Sequence, residues 1–279
     1  MTFPTFIVGT RGGGIGKTLL SHLTYLGHLD AGIGLKLAAA DTAGDGTETS
    51  KLGKLFPGQV QELGIGASLE ETRREAAAAV SYWDALGSLL LCGGTVVDLG
   101  ANVVPTLLAW AKTRDAGRIL RRRNAPPIVL VVPAKPQAQS IEDALSLLEQ
   151  SLSLQDVLPV SSRVLVLNEV GGSFGAYGTD KDIERLQGMK LSHGVRAARL
   201  RQCTSELWPI IERRHMRLDE VLALEPEEIA DRFGLSLFAA SGAQVDLIRW
   251  LNESLDSLRA VGVMPPAAIA SVATSRAAG

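Results

Sequence analysis

The chain has 279 residues, 46% of them hydrophobic and 21% charged, which is enough to bury the core of one large α/β domain or of two small ones. Lys and Arg number 28 against 30 Asp and Glu, a balance that argues against a surface coated in basic charge and leaves room for a local basic patch. Aromatic residues make up only 5% while 29 residues are Gly, a composition that speaks against an all-β sandwich and for alternating helices and strands.

In chain order, residues 5–9 (TFIVG) are a short apolar run that stops at a glycine-rich turn. A helix is predicted from Thr18 to about Asp30, with Leu19, Leu20, Leu23 and Leu26 as its apolar positions. A second apolar run, 35–40, ends at Asp41, and a Glu-, Arg- and Ala-rich helix is predicted from about Ser68 to Leu91. The run TVVDLG at 95–100 and PIVLVV at 127–132 read as buried strands, followed by a helix at 138–152 and a strand at 163–167. Residues 171–179 are predicted as a loop, 204–224 carry apolar residues at helical spacing, and a last helix is expected near 243–260. Strands that are apolar throughout and separated by helices predict one parallel sheet covered on both faces. The expected organisation is a single α/β domain over 1–262 with a loose tail over 263–279.

Two cysteines, Cys92 and Cys203, cannot form a disulfide framework, and Cys92 is expected to be buried at an apolar helix end. No leader of the basic-then-apolar kind is visible, and the most apolar windows are too short to span a membrane, so a reducing cytoplasm is the expected compartment. The four histidines, His22, His28, His193 and His215, show no metal-ligand spacing and read as structural or surface residues.

The strongest signal is Gly12-Gly13-Gly14-Ile15-Gly16-Lys17-Thr18 between a strand and a helix. Glycines allow backbone N–H groups to turn inward around a phosphate chain. Lys17 would neutralise the β/γ charge and the Thr18 hydroxyl would ligate Mg²⁺, with the positive helix end adding to both. The alternative is a glycine-rich turn without chemistry; strand, loop and helix in this order favour the phosphate loop. Arg11 stands where the G-x-x-x-x-G-K-[ST] pattern has its first glycine.

With these residues the sequence resembles the ParA/MinD group of P-loop ATPases, whose loop is written K-G-G-x-G-K-[ST]. Asp41 opens DTAGDGT, similar to the D-x-D-x-Q-G-N segment of ParA proteins; Asp98 ends a strand as the Walker B acid does; VVPAKPQAQSIEDA at 131–144 matches a strand, proline loop and helix; Asn168 ends RVLVLN. The resemblance covers residues 5 to about 170. It implies a P-loop NTPase fold binding ATP and Mg²⁺, with Arg11 to Thr18 and Asn168 around the nucleotide and Asn168 at adenine. It further implies Thr18, Asp41 and Asp98 around the metal, and a homodimer that forms with ATP. Asp98 and Asp41 each have an alternative as strand-end residues capping the next turn. The signature lysine of the family aligns with Gly12, and the second Asp of D-x-D aligns with Ala43, so Arg11 and Asp45 are the candidates to replace them. Lys17, Asp41 and Asp45 are thus the candidate catalytic residues, with hydrolysis expected to be slow, partner-stimulated or absent.

Between Lys112 and Arg123 lie six basic residues, among them Arg118, Arg121, Arg122 and Arg123, against one acid, Asp115. Such a patch either contacts non-specific DNA through phosphates or is a solvated helix end whose cations complement the helix dipole. The resemblance implies a role in plasmid partition or intracellular positioning, with a ParB-like stimulating protein or an adaptor as partner. Two alternatives stand beside it: a nucleotide-binding adaptor with little hydrolysis, for conjugation or a surface machine, and a small-molecule ligase or kinase on the same scaffold.

Overall fold

The computed structural model describes residues 3–40, 49–63, 76–101, 103–174 and 179–266. Seven strands form one sheet: β1 (Thr5–Val8), β2 (Lys36–Ala40), β3 (Val60–Glu62), β4 (Thr95–Leu99), β5 (Ile128–Ala134), β6 (Val160–Asn168) and β7 (Arg196–Leu200). Their order is β3-β2-β4-β1-β5-β6-β7, and every pairing is parallel. Thr5 of β1 stands level with Thr95 of β4 on one side and Ile128 of β5 on the other.

Alternation along these strands divides the core in two. Phe6, Val8, Val96, Val129 and Val131 point into one apolar cluster, and Ile7, Val97, Leu99, Leu130 and Val132 into the other. The first face is covered by α1 (Lys17–Asp30), α2 (Lys51–Leu55), α8 (Trp208–Arg214), α9 (Leu218–Leu222), α10 (Pro226–Phe233) and α11 (Leu237–Ala260). The second is covered by α3 (Ala76–Cys92), α4 (Val104–Thr113), α5 (Ala116–Arg122) and α6 (Ala138–Ser153), with Met189 of α7 (Asp180–His193) joining them. Burial on both faces is what makes these strands apolar at every position.

The predicted single α/β domain with a parallel sheet between two helical layers is what the structure shows. Several elements differ from the sequence reading. The region 204–224 holds two short helices, α8 and α9, because Gly-free but left-handed His215 (φ 50°) turns the chain between them. The strand β7 and the helix α7 come from segments without strong apolar periodicity. A Thr179–Asp182 capping box starts α7, and Gly194 at φ 63° ends it. Cys92 is exposed, contrary to expectation, since α3 ends there and Gly93 and Gly94 turn the chain into β4. Val263 and Met264, placed in the tail by sequence, are buried in the core, with Met264 packed beside Gly27 of α1. The start of the helix predicted from Ser68 and residues 267–279 lie outside the described residues.

One buried cation is held without any carboxylate. Arg163 on β6 donates to Ser151 Oγ (2.8 Å), to the carbonyls of Ser151 (2.8 Å) and Val160 (3.1 Å), and to Gln155 Oε1. It ties β6 to the end of α6, and its burial pulls the guanidinium pKa down. No helix among the described residues is long and apolar enough to cross a membrane.

Candidate functional site

β1 lies between β4 and β5, so the chain leaving β1 emerges where neighbouring connections go to opposite sides of the sheet. In open α/β sheets this carboxyl-edge crevice is where ligands bind. The loop from Gly9 to Gly16 occupies it and feeds directly into α1. Gly14 at φ 63° and Gly16 at φ 96° hold left-handed conformations, which explains glycine at both positions. Ile15 between them is buried and pins the loop to the body of the protein.

Gly16 is also the N-cap of α1, and no side chain caps the helix or places a carboxylate in its first turn. With no acid in the helix's own first turn to meet them, the first N–H groups and the positive end of the helix suit an anion. The Lys17 ammonium donates to the Gly12 carbonyl at 2.7 Å, folding back over the loop. The Thr18 hydroxyl donates to Asp98 Oδ2 at 2.7 Å, bringing together two residues 80 positions apart. Asp98 is 8% exposed at the end of β4. A hydroxyl and a carboxylate side by side are hard oxygen donors, and they fit a magnesium ion. Among the described residues no cluster of His, Cys, Asp or Glu suits a metal on its own.

Asn168, at the end of β6, is 4% exposed and donates from Nδ2 to the Ile15 carbonyl at 3.0 Å. In this structure its amide nitrogen braces the loop from below. Arg11 is partly exposed at the rim. A Cβ on Gly12 would lie 2.5 Å from Ile15 Cδ1, so a side chain at this position would require Ile15 to move. Asp41, Ala43 and Asp45 lie outside the described residues.

The loop lines one wall of a cavity of about 550 Å³. Asp98 and Asn168 belong to the same lining, and the opposite wall comes from the C-terminal third: Cys203 after β7, then Trp208, Ile211 and Glu212 of α8, and Trp250 of α11. Trp208 and Trp250 pack with ring centroids 4.8 Å apart, and Trp250 Nε1 donates to the Arg201 carbonyl at 2.8 Å. Sequence reasoning missed this wall. These residues lie about 190 to 240 positions from the loop and carry no motif; only the threading of β7 at the sheet edge brings them there.

Cys203 provides a chemical probe of the cavity. Burial raises its thiol pKa, whereas Cys92 stands exposed at the amino edge of β4. Saturating ATP with Mg²⁺ is expected to slow maleimide labelling of Cys203 by at least about tenfold, as follows from a site mostly occupied, and to leave Cys92 unchanged. Mass spectrometry of the labelled peptides reads both at once, and equal slowing of the two would refute occupancy of this cavity.

The basic segment sits elsewhere. α5 leads towards the first residue of β5, so its last turn is at the amino edge, across the sheet from the glycine loop. Three of its cations have partners: Arg114 with Asp84 at 2.9 Å, Arg118 with Asp115, and Arg121 with Asp156 at 3.8 Å. Arg122 and Arg123 are exposed. If DNA is held here, replacing Arg121, Arg122 and Arg123 by Glu is expected to weaken it by one to two orders of magnitude at low salt, roughly as counterion release predicts for three lost contacts. ATP affinity should not change, and a filter-binding assay that shows unaltered DNA retention would return the segment to a solvated helix end.

No family model matches the sequence, and neither does any curated protein. Among solved structures, similar ones include the ParA family ATPase of Chlorobium tepidum, at 14% identity and a TM-score of 0.47 over 92% of this chain and 97% of that one. The MinC:MinD cell division protein complex of Aquifex aeolicus gives 14% identity and 0.46 over 89% and 96%. An ATP complex of Cyanothece McdA gives 15% identity and 0.44 over 88% and 96%.

Proposed function

We propose that the chain is an ATP-dependent switch of the ParA type. In this reading ATP binds with its phosphates in the loop Gly12–Thr18, under Lys17 and at the N-terminus of α1. Thr18 and Asp98 would hold Mg²⁺, which when bound would shield the phosphate charge. The observation that carries the reading is the Thr18–Asp98 contact at 2.7 Å beside a glycine loop that opens a helix without an acid of its own.

Two copies would then face each other across their nucleotides, and the dimer would engage non-specific DNA, an adaptor or a ParB-like stimulating protein in partition or positioning. Hydrolysis is slow in this reading, because position 12 offers no lysine to a partner's nucleotide and a side chain there would press on Ile15. Arg11, one residue earlier, has a broader planar head and a different backbone origin.

Light scattering on wild type and Lys17→Ala, with and without ATP and Mg²⁺, tests the switch. The expected result is a doubling of molar mass that needs both the nucleotide and Lys17. A mass indifferent to ATP in the presence of measured ATP binding would discard the dimer and favour the adaptor.

A further inference from the structure

The floor of the cavity extends from the glycine loop toward the β3 edge of the sheet. Asp98 of β4 stands level with Ala39 of β2, and Ala39 with Glu62 of β3. Residues level on neighbouring strands project to the same face, and here it is the face covered by α1 and α2. Strands lie about 4.8 Å apart, which puts the Cα atoms of Asp98 and Glu62 roughly 10 Å from each other. Ala39 between them lines the cavity with Asp98, so β2 raises no large side chain across this stretch of floor.

Glu62 fixes what stands at the far end. Its Oε1 accepts from the Ser50 hydroxyl at 2.8 Å and from the Ser50 N–H at 3.2 Å, while Ser50 Oγ, the N-cap of α2, accepts from the Gly53 N–H at 2.9 Å. Lys51 is the next residue and the first of α2. It is exposed and belongs to the cavity lining together with Thr18 and Asp98, whereas Lys54, one turn on, is exposed and lies outside that lining. No hydrogen bond or ion pair among the described residues holds the Lys51 ammonium. The backbone of Lys51 is thus clamped to the sheet, and its flexible four-carbon stem carries a cation into the same space as the Thr18–Asp98 pair.

The glycine loop from Gly12 to Thr18 has one cation of its own, Lys17. A triphosphate brings more negative charge than one ammonium offsets, and contacts between ionised groups are the strong ones. Thr18 and Asp98 mark the metal end of the phosphate chain in the reading above, and bound metal ions bridge the last two phosphates. Lys51 stands on that side of β1, the side of β4 and β2; Asn168 stands on the other, on β6.

We propose that the Lys51 ammonium meets the terminal phosphate of a bound nucleoside triphosphate and so sets a preference for triphosphate over diphosphate. The inference rests on the phosphate-loop reading and adds to it a selecting residue from outside the loop.

Calorimetric titration of the full chain compares ATP and ADP, each with Mg²⁺, on wild type, Lys51→Ala, Lys51→Arg and Lys54→Ala. Lys51→Ala is expected to weaken ATP by about ten- to hundredfold, the loss of one hydrogen bond between charged groups, and ADP by less than about threefold. Retained ADP binding also shows that the variant is folded. Lys51→Arg should recover most of the ATP affinity, and Lys54→Ala, which removes the same charge from the same helix, should match wild type with both nucleotides. ATP affinity unchanged in Lys51→Ala, an equal loss of ATP and ADP, or an equal loss in Lys54→Ala overturns the proposal and leaves the phosphate loop standing. Wild type that binds neither nucleotide refutes the phosphate-loop reading, and this inference falls with it.

Discussion

Lys17→Ala is expected to weaken ATP binding by about a hundredfold to ten-thousandfold, the loss of about two hydrogen bonds to charged oxygens at roughly 1.5–3 kcal/mol each. The loop has supports besides this side chain: Ile15 anchors it in the core, Asn168 bonds its Ile15 carbonyl, and Gly14 and Gly16 set its turn. What the lysine supplies is a cation, bonded here to the Gly12 carbonyl, at the place where phosphate charge would concentrate. Its removal should therefore leave the thermal midpoint within a few degrees of wild type. Calorimetric titration with ATP, accompanied by a melting curve, separates the two. Unchanged affinity in a folded variant would remove the phosphate-loop assignment altogether.

Gly16→Ala should damage the same loop by a different route. Its φ of 96° is costly for any L side chain, and an added Cβ would lie 2.3 Å from Asn168 Nδ2. Backbone strain of about 1–3 kcal/mol and the loss of the Asn168–Ile15 bond, worth about 1 kcal/mol, add to an expected destabilisation of roughly 2–4 kcal/mol. For a domain of this size that lowers the midpoint by about 3–7 °C. ATP binding should fall with it, since the loop N–H groups lose their orientation. Gly13→Ala is the control: a Cβ there meets nothing within 4 Å, so its stability should stay close to wild type. If Gly16→Ala melts like Gly13→Ala, the left-handed N-cap is not a constraint in solution.

These contrasts show how far the sequence could be read. The glycine loop was legible because its pattern is local: seven consecutive residues carry glycines, a cation and a hydroxyl between a strand and a helix. β1, β4, β5 and β6 were legible because burial on both faces leaves unbroken apolar runs. Asp98 could be picked out as a strand-end acid, but its contact with Thr18 depends on β4 lying beside β1, a fact of strand order. β7 reads RAARL, and its solvent-facing arginines hide a strand whose Ala198 and Leu200 are buried. With β7 hidden, the wall carrying Cys203 and Trp208 could not be foreseen either. Cys92 failed for the opposite reason, since a hydrophobic neighbourhood in sequence ended at an exposed helix terminus. His22 read as a structural or surface histidine, and the structure buries it against the edge of Phe56.

The strand order also bears on how the molecule assembles during synthesis. β1 is made first, yet both strands that flank it arrive late: Thr5 pairs with Thr95 and with Ile128, and the loop above it is braced by Asn168. A chain made only as far as β4 holds the whole glycine motif and has only one of the two neighbours its central strand needs. Closing such long loops costs entropy before any pairing repays it, which makes folding of this kind slow. The glycine loop is therefore translated before both strands that flank β1 and is among the last segments to acquire its shape, and β1 keeps one edge unpaired until β5 follows.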